Sequence, residues 1–224
     1  MLIIGHRGSR GTHPENSLAG LREAVKSGAD MVEFDVRLTR DGVAILFHDF
    51  HLYRLHHQVD LIRRLTLSEL QKRTAGSEYQ IVTLRQALKE CADKLLLMIE
   101  VKDKGAGLAV LELVTRDFKK DMDNIIISSF SSRELSRIRK LNKKVKLAML
   151  MGLNPLAFLA WERKLHLSAV GFHRLHLNKL AIQAAHQLDM LVYVYTVNRK
   201  AALPRLEAQG VDAVVTDFPR KFRS

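Results

Sequence analysis

The chain is poor in cysteine, proline and tryptophan, with one Cys, four Pro and one Trp in 224 residues. A single cysteine excludes an internal disulfide framework, so the fold must rest on its apolar core. Cys91 falls on the helically spaced apolar stripe Leu84, Ala87, Leu88, Cys91, which predicts a buried structural thiol rather than a nucleophile. Long apolar runs are missing too. Leu95-Leu96-Leu97-Met98-Ile99 falls far short of the roughly 20 residues that a membrane-spanning helix needs. No basic leader precedes the first apolar residues, which run straight into His6-Arg7-Gly8. No secretory signal is therefore read, and a cytoplasmic location is expected.

Acidic residues are outnumbered, 24 Asp and Glu against 36 Lys and Arg, for a formal charge of +12. That excess favours anionic partners: phosphorylated small molecules, anionic membrane surfaces or nucleic acid. The densest basic run, RELSRIRKLNKKVK from Arg133, has no aromatic residue to stack on bases, which argues against nucleic acid. It reads as the solvated face of an amphipathic helix, with Leu135, Ile138 and Leu141 buried. No Pro/Gly-rich linker or low-complexity tract divides the chain. Residues 1–224 are expected to form one domain, with the irregular stretch 49–82 as an insertion or cap.

What the sequence does have is alternation. Strands are predicted at 2–5, 31–38, 43–47, 95–102, 125–129, 146–150, 169–172, 191–197 and 213–216. Helical segments separate most of them, including 17–27, 84–92, 133–141 and 155–164. Repeated βαβ units imply a mainly parallel sheet, and so many strands suit a distorted TIM (β/α)8 barrel. One connection breaks the scheme. Only Thr39-Arg40-Asp41-Gly42 joins 31–38 to 43–47, too short for a parallel crossover, and Asp-Gly signals a hairpin. A turn centred between Arg40 and Asp41 sets His48 opposite Glu33.

In MVEFDVRL, from Met31, side chains alternate. Val32, Phe34, Val36 and Leu38 should face the helices, which turns Glu33, Asp35 and Arg37 inward. Inward carboxylates need partners, because unpaired buried charge is costly. Structural ion pairs with Arg37 or Lys102 are one solution and a divalent cation is the other. Glu100 and Lys102 repeat the pattern at the end of the next apolar strand, near the C-terminal mouth where barrel enzymes build their sites. Three carboxylates form an all-oxygen donor set suited to Mg2+ or Ca2+. His6 and His48 reach the same mouth as candidates for general acid and base. Arg7 and Lys102 add donors for an anionic oxygen. Such a set fits phosphodiester cleavage. His48, His51, His56 and His57 do not have the spacing of a tetrahedral zinc site.

Several motifs, in order, resemble the glycerophosphodiester phosphodiesterase family from end to end. They are GHRGSRGTHPENS from Gly5, GADMVEFDVRLTRDGVAILFHD from Gly28, IEVK from Ile99, ISSF from Ile127, VYVYTVN from Val192 and GVDAVVTDFP from Gly210. The resemblance implies hydrolysis of glycerophosphodiesters to glycerol 3-phosphate and an alcohol. It implies a divalent cation held by Glu33, Asp35 and Glu100, catalysis by His6 and His48, and phosphate contacts from Arg7 and Lys102. Glu15 and Asn16 match the opening motif, as loop and cap residues or as contacts to Arg7 or the metal. Tyr195 stands where the family usually has tryptophan and would be a smaller aromatic wall for glycerol. After His48-Asp49 the family's threonines are replaced by Leu55 and His56, although Arg54 is kept, which implies an altered cap. The apolar stretch around Trp161 is expected to pack on the barrel; over the mouth it would suit a lipid chain. Two alternatives follow: a lysophospholipase D, and a silent barrel that binds phosphorylated ligands or a membrane surface.

Overall fold

The computed structural model describes residues 1–223. Eight parallel strands close a ring: β1 (Leu2–Gly5), β2 (Met31–Leu38), β5 (Leu96–Val101), β6 (Ile125–Ser129), β7 (Lys146–Met151), β8 (Ala169–His173), β9 (Leu191–Tyr195) and β10 (Ala213–Thr216). Pairing of β1 with both β2 and β10 completes the circle. Two short strands lie outside it. β3 (Ala44–Leu46) runs antiparallel to β2, and β4 (Val82–Thr83) antiparallel to β3. The TIM barrel and its early hairpin are thus as expected from the sequence.

The side-chain alternation of β2 works as predicted. Val32, Phe34 and Val36 join the buried layer between ring and helices, with Leu84, Ala87, Leu88 and Cys91 of α4 (Leu84–Cys91). Burial pushes the Cys91 thiol up to about 12, consistent with an inert structural role. A second, smaller cluster fills the barrel interior, with Ile4, Met31, Met98, Leu150, Tyr193 and Val215 among its members. At the C-terminal end this apolar filling gives way to Glu33, Asp35 and Glu100.

Helix termini are set by local chemistry. Ser17 caps α1 (Leu18–Lys26), its Oγ accepting from Gly20 N at 3.0 Å. Thr66 and Thr83 form capping boxes with Glu69 and Gln86 at the starts of α3 (Leu67–Thr74) and α4. The insertion 49–82 is more ordered than its sequence suggests. It carries α2 (Tyr53–His56), a 3-10 turn and α3, and Leu52, Ile62, Leu65, Leu70 and Ile81 pack with Ile45 and Phe47 into a satellite core.

Three expectations need correction. The hairpin register is displaced by one residue: Val36 pairs with Leu46 and Leu38 with Ala44, centring the turn on Asp41. Gly42 adopts a left-handed φ of 77° as the third residue of a three-residue loop, closed by Thr39 N to Val43 O at 3.1 Å. That register aligns His48 with Phe34, not Glu33, and strand pairing has ended before it. Leu141 is 70% exposed, because α6 (Ser132–Leu141) ends there and only Leu135 and Ile138 face the core. The helix expected at 155–164 begins later, as α7 (Leu159–Leu165), after a run of turns from Pro155. Trp161 in α7 packs, partly buried, on the outer core.

Candidate active site

The first βα loop supplies one side of the barrel mouth. Arg7 sits two residues past the end of β1 with a left-handed φ of 48°, a conformation L-residues seldom adopt. Its neighbour Gly8 passes so close to Gly20 that a Cβ would lie 2.6 Å from the Gly20 backbone. This tight loop points the Arg7 guanidinium inward, where Nη1 donates to Glu15 Oε1 at 2.9 Å and Nε lies 3.1 Å from Asp35 Oδ2. The Arg7 backbone N–H donates to Glu33 Oε2 at 3.0 Å. Asn16 grips Asp35 twice, with Nδ2 donating to Oδ2 at 2.9 Å and Oδ1 accepting from the Asp35 N–H at 3.1 Å. Ser17, not Asn16, caps the helix, and Asn16 turns to the acids.

Glu33, Asp35 and Glu100 converge, one oxygen from each lying within 4.8 Å of the others. β2 and β5 pair Asp35 directly with Glu100, which enforces the convergence. Lys102 bridges the acids, its Nζ 3.0 Å from Asp35 and 2.6 Å from Glu100. Arg37 does not join them; it pairs with Asp103 at the edge of the mouth and donates from Nε to His48 O at 2.9 Å.

Electrostatics divide the acids. Burial favours the neutral form of all three, but Lys102 and Arg7 overcome it at Asp35 and hold that carboxyl far below its usual range. Glu33 is raised well above its ordinary value by burial and then by the charges of Asp35 and Glu100. Glu100 rises to about 7 for the same reasons. Glu33 Oε1, Ser128 Oγ and Tyr193 Oη are buried without a hydrogen-bond partner among the described residues. All three residues line one cavity of about 40 Å3, together with His6, Glu100, Phe130 and Tyr195. An unsatisfied carboxylate oxygen beside two neighbouring acids and a small void fits a cation.

Each histidine is paired through Nδ1 with a carboxylate. His6 lies 2.6 Å from Asp217 Oδ1, and His48 lies 2.7 Å from Asp49 Oδ1. Burial is the largest influence on both rings and lowers their pKa despite these partners. His48 lines a separate small cavity with Glu15 and Asn16, the residues that hold Arg7 and Asp35, and the Asp35 charge opposes the effect of burial on its ring. Behind the histidines lies a second tier. Asn198 Nδ2 donates to Asp217 Oδ2 at 2.7 Å. Arg54, in α2, donates from Nε to Asp49 Oδ2 at 2.6 Å and from Nη1 to Glu15 Oε2 at 3.1 Å.

Tyr195 ends β9 with its hydroxyl donating to Met151 O at 2.6 Å. Its ring meets Phe130 and His173 edge-on, with centroids 6.2 and 5.8 Å away. The histidines of the cap stand apart from the acids: His56 stacks on Phe47, and His51 accepts from the Tyr53 N–H at 3.2 Å. Asp217, Asn198, Ser128 and Tyr193 were not singled out from sequence. The signal available for Asp217 was its place just past the last strand, level with His6 once the ring closes.

Carboxylates, cations and carboxylate-backed histidines at one barrel mouth define a phosphodiester hydrolase. The chain belongs to the glycerophosphoryl diester phosphodiesterase family, whose model matches residues 6–221. YhdW of Bacillus subtilis is 33% identical over 232 residues, covering 98% of this chain and 95% of its own. A glycerophosphodiester phosphodiesterase of Caldanaerobacter subterraneus is 28% identical, covering 97% of this chain and 94% of its own. Among solved structures, an Oleispira antarctica phosphodiesterase in complex with the product sn-glycerol-3-phosphate superposes with a TM-score of 0.90. It is 26% identical and covers 100% of this chain and 95% of its own. No helix among the described residues is long and apolar enough to cross a membrane.

Proposed function

We propose that the protein hydrolyses glycerophosphodiesters to glycerol 3-phosphate and an alcohol, with His6 and His48 exchanging protons and a divalent cation at Glu33, Asp35 and Glu100. The observation that carries this reading is the three-acid cluster with an unpartnered oxygen, whose cavity His6, backed by Asp217, also lines; His48, backed by Asp49, stands beside Glu15 and Asn16 next to it. The all-oxygen donor set suits Mg2+ or Ca2+. Bound there, the ion would neutralise charge on the phosphate and relieve the repulsion among the acids.

With Nδ1 of each ring held by Asp217 or Asp49, Nε2 is left for substrate. His48, kept neutral by burial, accepts the proton of the attacking oxygen, which comes from water or from the substrate's own glycerol hydroxyl. His6 donates a proton to the departing alcohol, as the new P–O bond replaces the old one; where the glycerol hydroxyl attacks, the cyclic phosphate so formed is then opened by water, His6 taking the proton from water and His48 returning one to the glycerol oxygen. Lys102 spends two N–H groups on Asp35 and Glu100, and its third can meet a phosphate oxygen. Arg7 holds Asp35 and Glu15 in place beside the phosphate. Tyr195 and Phe130 offer an aromatic wall to the glycerol carbons.

The test is release of glycerol 3-phosphate from glycerophosphocholine by EDTA-treated protein, with Mg2+, Ca2+ or no metal restored. Metal-dependent release is expected. Release independent of metal would remove the cation from the reading, and no release with either ion would overturn the function. Exposed Leu153, Leu156 and Leu159, around the start of α7, favour a second reading in which lysophospholipids or a membrane surface also meet the mouth. A higher kcat/KM for long-chain lysophospholipid than for glycerophosphocholine would establish it.

A further inference from the structure

A cleft of about 810 Å3 opens beside the mouth, where the chain leaves β8 and β9. Arg174, Arg199 and Arg205 line it, and no Asp or Glu does. Around the mouth itself Arg7, Arg37 and Arg54 are each held by acids. The side chains of the three cleft arginines have neither an ion-pair nor a hydrogen-bond partner among the described residues. Three unpaired guanidiniums around one concavity repel one another, an arrangement that an anionic ligand relieves.

The cleft adjoins the catalytic apparatus through both strands. Tyr195 lines the acidic cavity and the next residue, Thr196, lines the cleft. His173 packs against Tyr195, and Arg174 follows it with its N–H bonded to Tyr195 O at 2.9 Å. Asn198 belongs to both places: it lines the cleft and anchors Asp217, the carboxylate partner of His6. His6 is the group assigned above to the departing alcohol, so the alcohol lies on the side of the mouth where the cleft opens.

We infer that this cleft is a subsite for a second phosphate carried on the departing alcohol, so that the enzyme prefers glycerophosphodiesters whose alcohol is itself phosphorylated. The inference rests on the proposed hydrolysis and extends it to substrate class. Guanidiniums match a phosphate monoester with paired N–H donors, and the exposed setting leaves room for a polyol between the two phosphates.

The experiment compares glycerophosphoinositol with glycerophosphoinositol 4-phosphate, using metal-loaded native protein and the variant Arg199→Ala/Arg205→Ala. Native protein should show a KM about tenfold lower for the phosphorylated substrate, the equivalent of about 1.4 kcal/mol. The variant should lose that preference while its KM and kcat for glycerophosphoinositol change less than about twofold, which also shows that it folds. The preference should shrink as salt rises, since these charges are exposed. Equal KM values in native protein, or a preference that survives in the variant, would overturn the subsite. Turnover of glycerophosphoinositol without any preference leaves the proposed hydrolysis standing, whereas turnover of neither substrate overturns both.

Discussion

Asp217 fixes which nitrogen of His6 faces the barrel mouth, because its Oδ1 takes Nδ1 at 2.6 Å. Asp217→Asn keeps the shape but removes the charge that orients the ring and supports its protonated form. A fall in kcat of about 10²–10⁴ is expected, the range of a general acid–base contribution, with KM nearly unchanged. Steady-state kinetics against pH would check it, and a kcat within twofold of native would remove Asp217 from the positioning role. Glu100 allows a second expectation, with a sign set by its raised pKa. A carboxyl held at about 7 in the fold, against about 4.5 when unfolded, binds more protons folded than unfolded between those values. Its contribution therefore destabilises the metal-free protein increasingly as pH rises from about 4.5 through 7. Glu100→Gln should raise the Tm in EDTA at pH 8, with the gain vanishing near pH 4.5. It should also abolish the Tm increase that Mg2+ or Ca2+ gives the native chain. Thermal melts with and without metal decide both points. Metal affinity of the native chain should climb with pH as Glu100, near 7, and Glu33, also raised, lose their protons. Glu33, Asp35 and Glu100 were legible in the sequence because alternation alone turns them inward. Asp217 was not, since its partner His6 lies 211 positions away and meets it only when β10 closes against β1.

Whole elements show where local signals ended. The apolar alternation of β2 and the Asp-Gly turn made the hairpin legible, but the left-handed Gly42 added a loop residue that the turn signal does not count. α2 was hidden by its length, four residues from Tyr53 to His56, too short for any periodicity. It nevertheless delivers Arg54, which ties Asp49 behind His48 to Glu15 behind Arg7. Arg54→Ala frees both halves of the mouth at once, and a drop in kcat/KM of about tenfold is expected, on the scale of charged hydrogen bonds of about 1.5–3 kcal/mol discounted for exposure. Arg54→Lys should not restore it, because an ammonium cannot span both carboxylates as the fork does. Full activity in either variant would show that the bridge is only a surface contact. Inside the barrel, β8 and β9 pair Gly171 with Tyr193. A Cβ on Gly171 would lie 2.4 Å from the Tyr193 ring, whose hydroxyl belongs to the acidic cavity. Gly171→Ala should cost about 1–3 kcal/mol in denaturant unfolding and weaken metal binding as the ring is pushed into that cavity. No sequence period marks this contact, because it depends on which strands become neighbours.

At the scale of the molecule, the barrel was the most legible feature, since its eight parallel strands repeat one βαβ rule along the chain. The stretch 49–82 was less so: its apolar residues, Leu52, Ile62, Leu65 and Leu70, gather into a core only after the hairpin supplies Ile45 and Phe47. Net charge acts on the whole surface at once. The chain carries +12, while the acids at the mouth are neutralised by Arg7, Lys102 and proton binding, so an approaching phosphodiester meets little opposing field. Attraction of this kind raises the encounter rate and decays over the Debye length, about 10 Å at 0.1 M salt. Groups inside the mouth are shielded from salt by burial, which holds the chemical step apart from the approach. kcat/KM for an anionic glycerophosphodiester should therefore fall severalfold between about 0.02 and 0.5 M NaCl, while kcat stays within about twofold. A zwitterionic substrate such as glycerophosphocholine should lose less, because the choline charge cancels the long-range attraction to the phosphate. Identical salt slopes for the two substrates would show that the positive surface plays no part in capture and that recognition begins only inside the mouth.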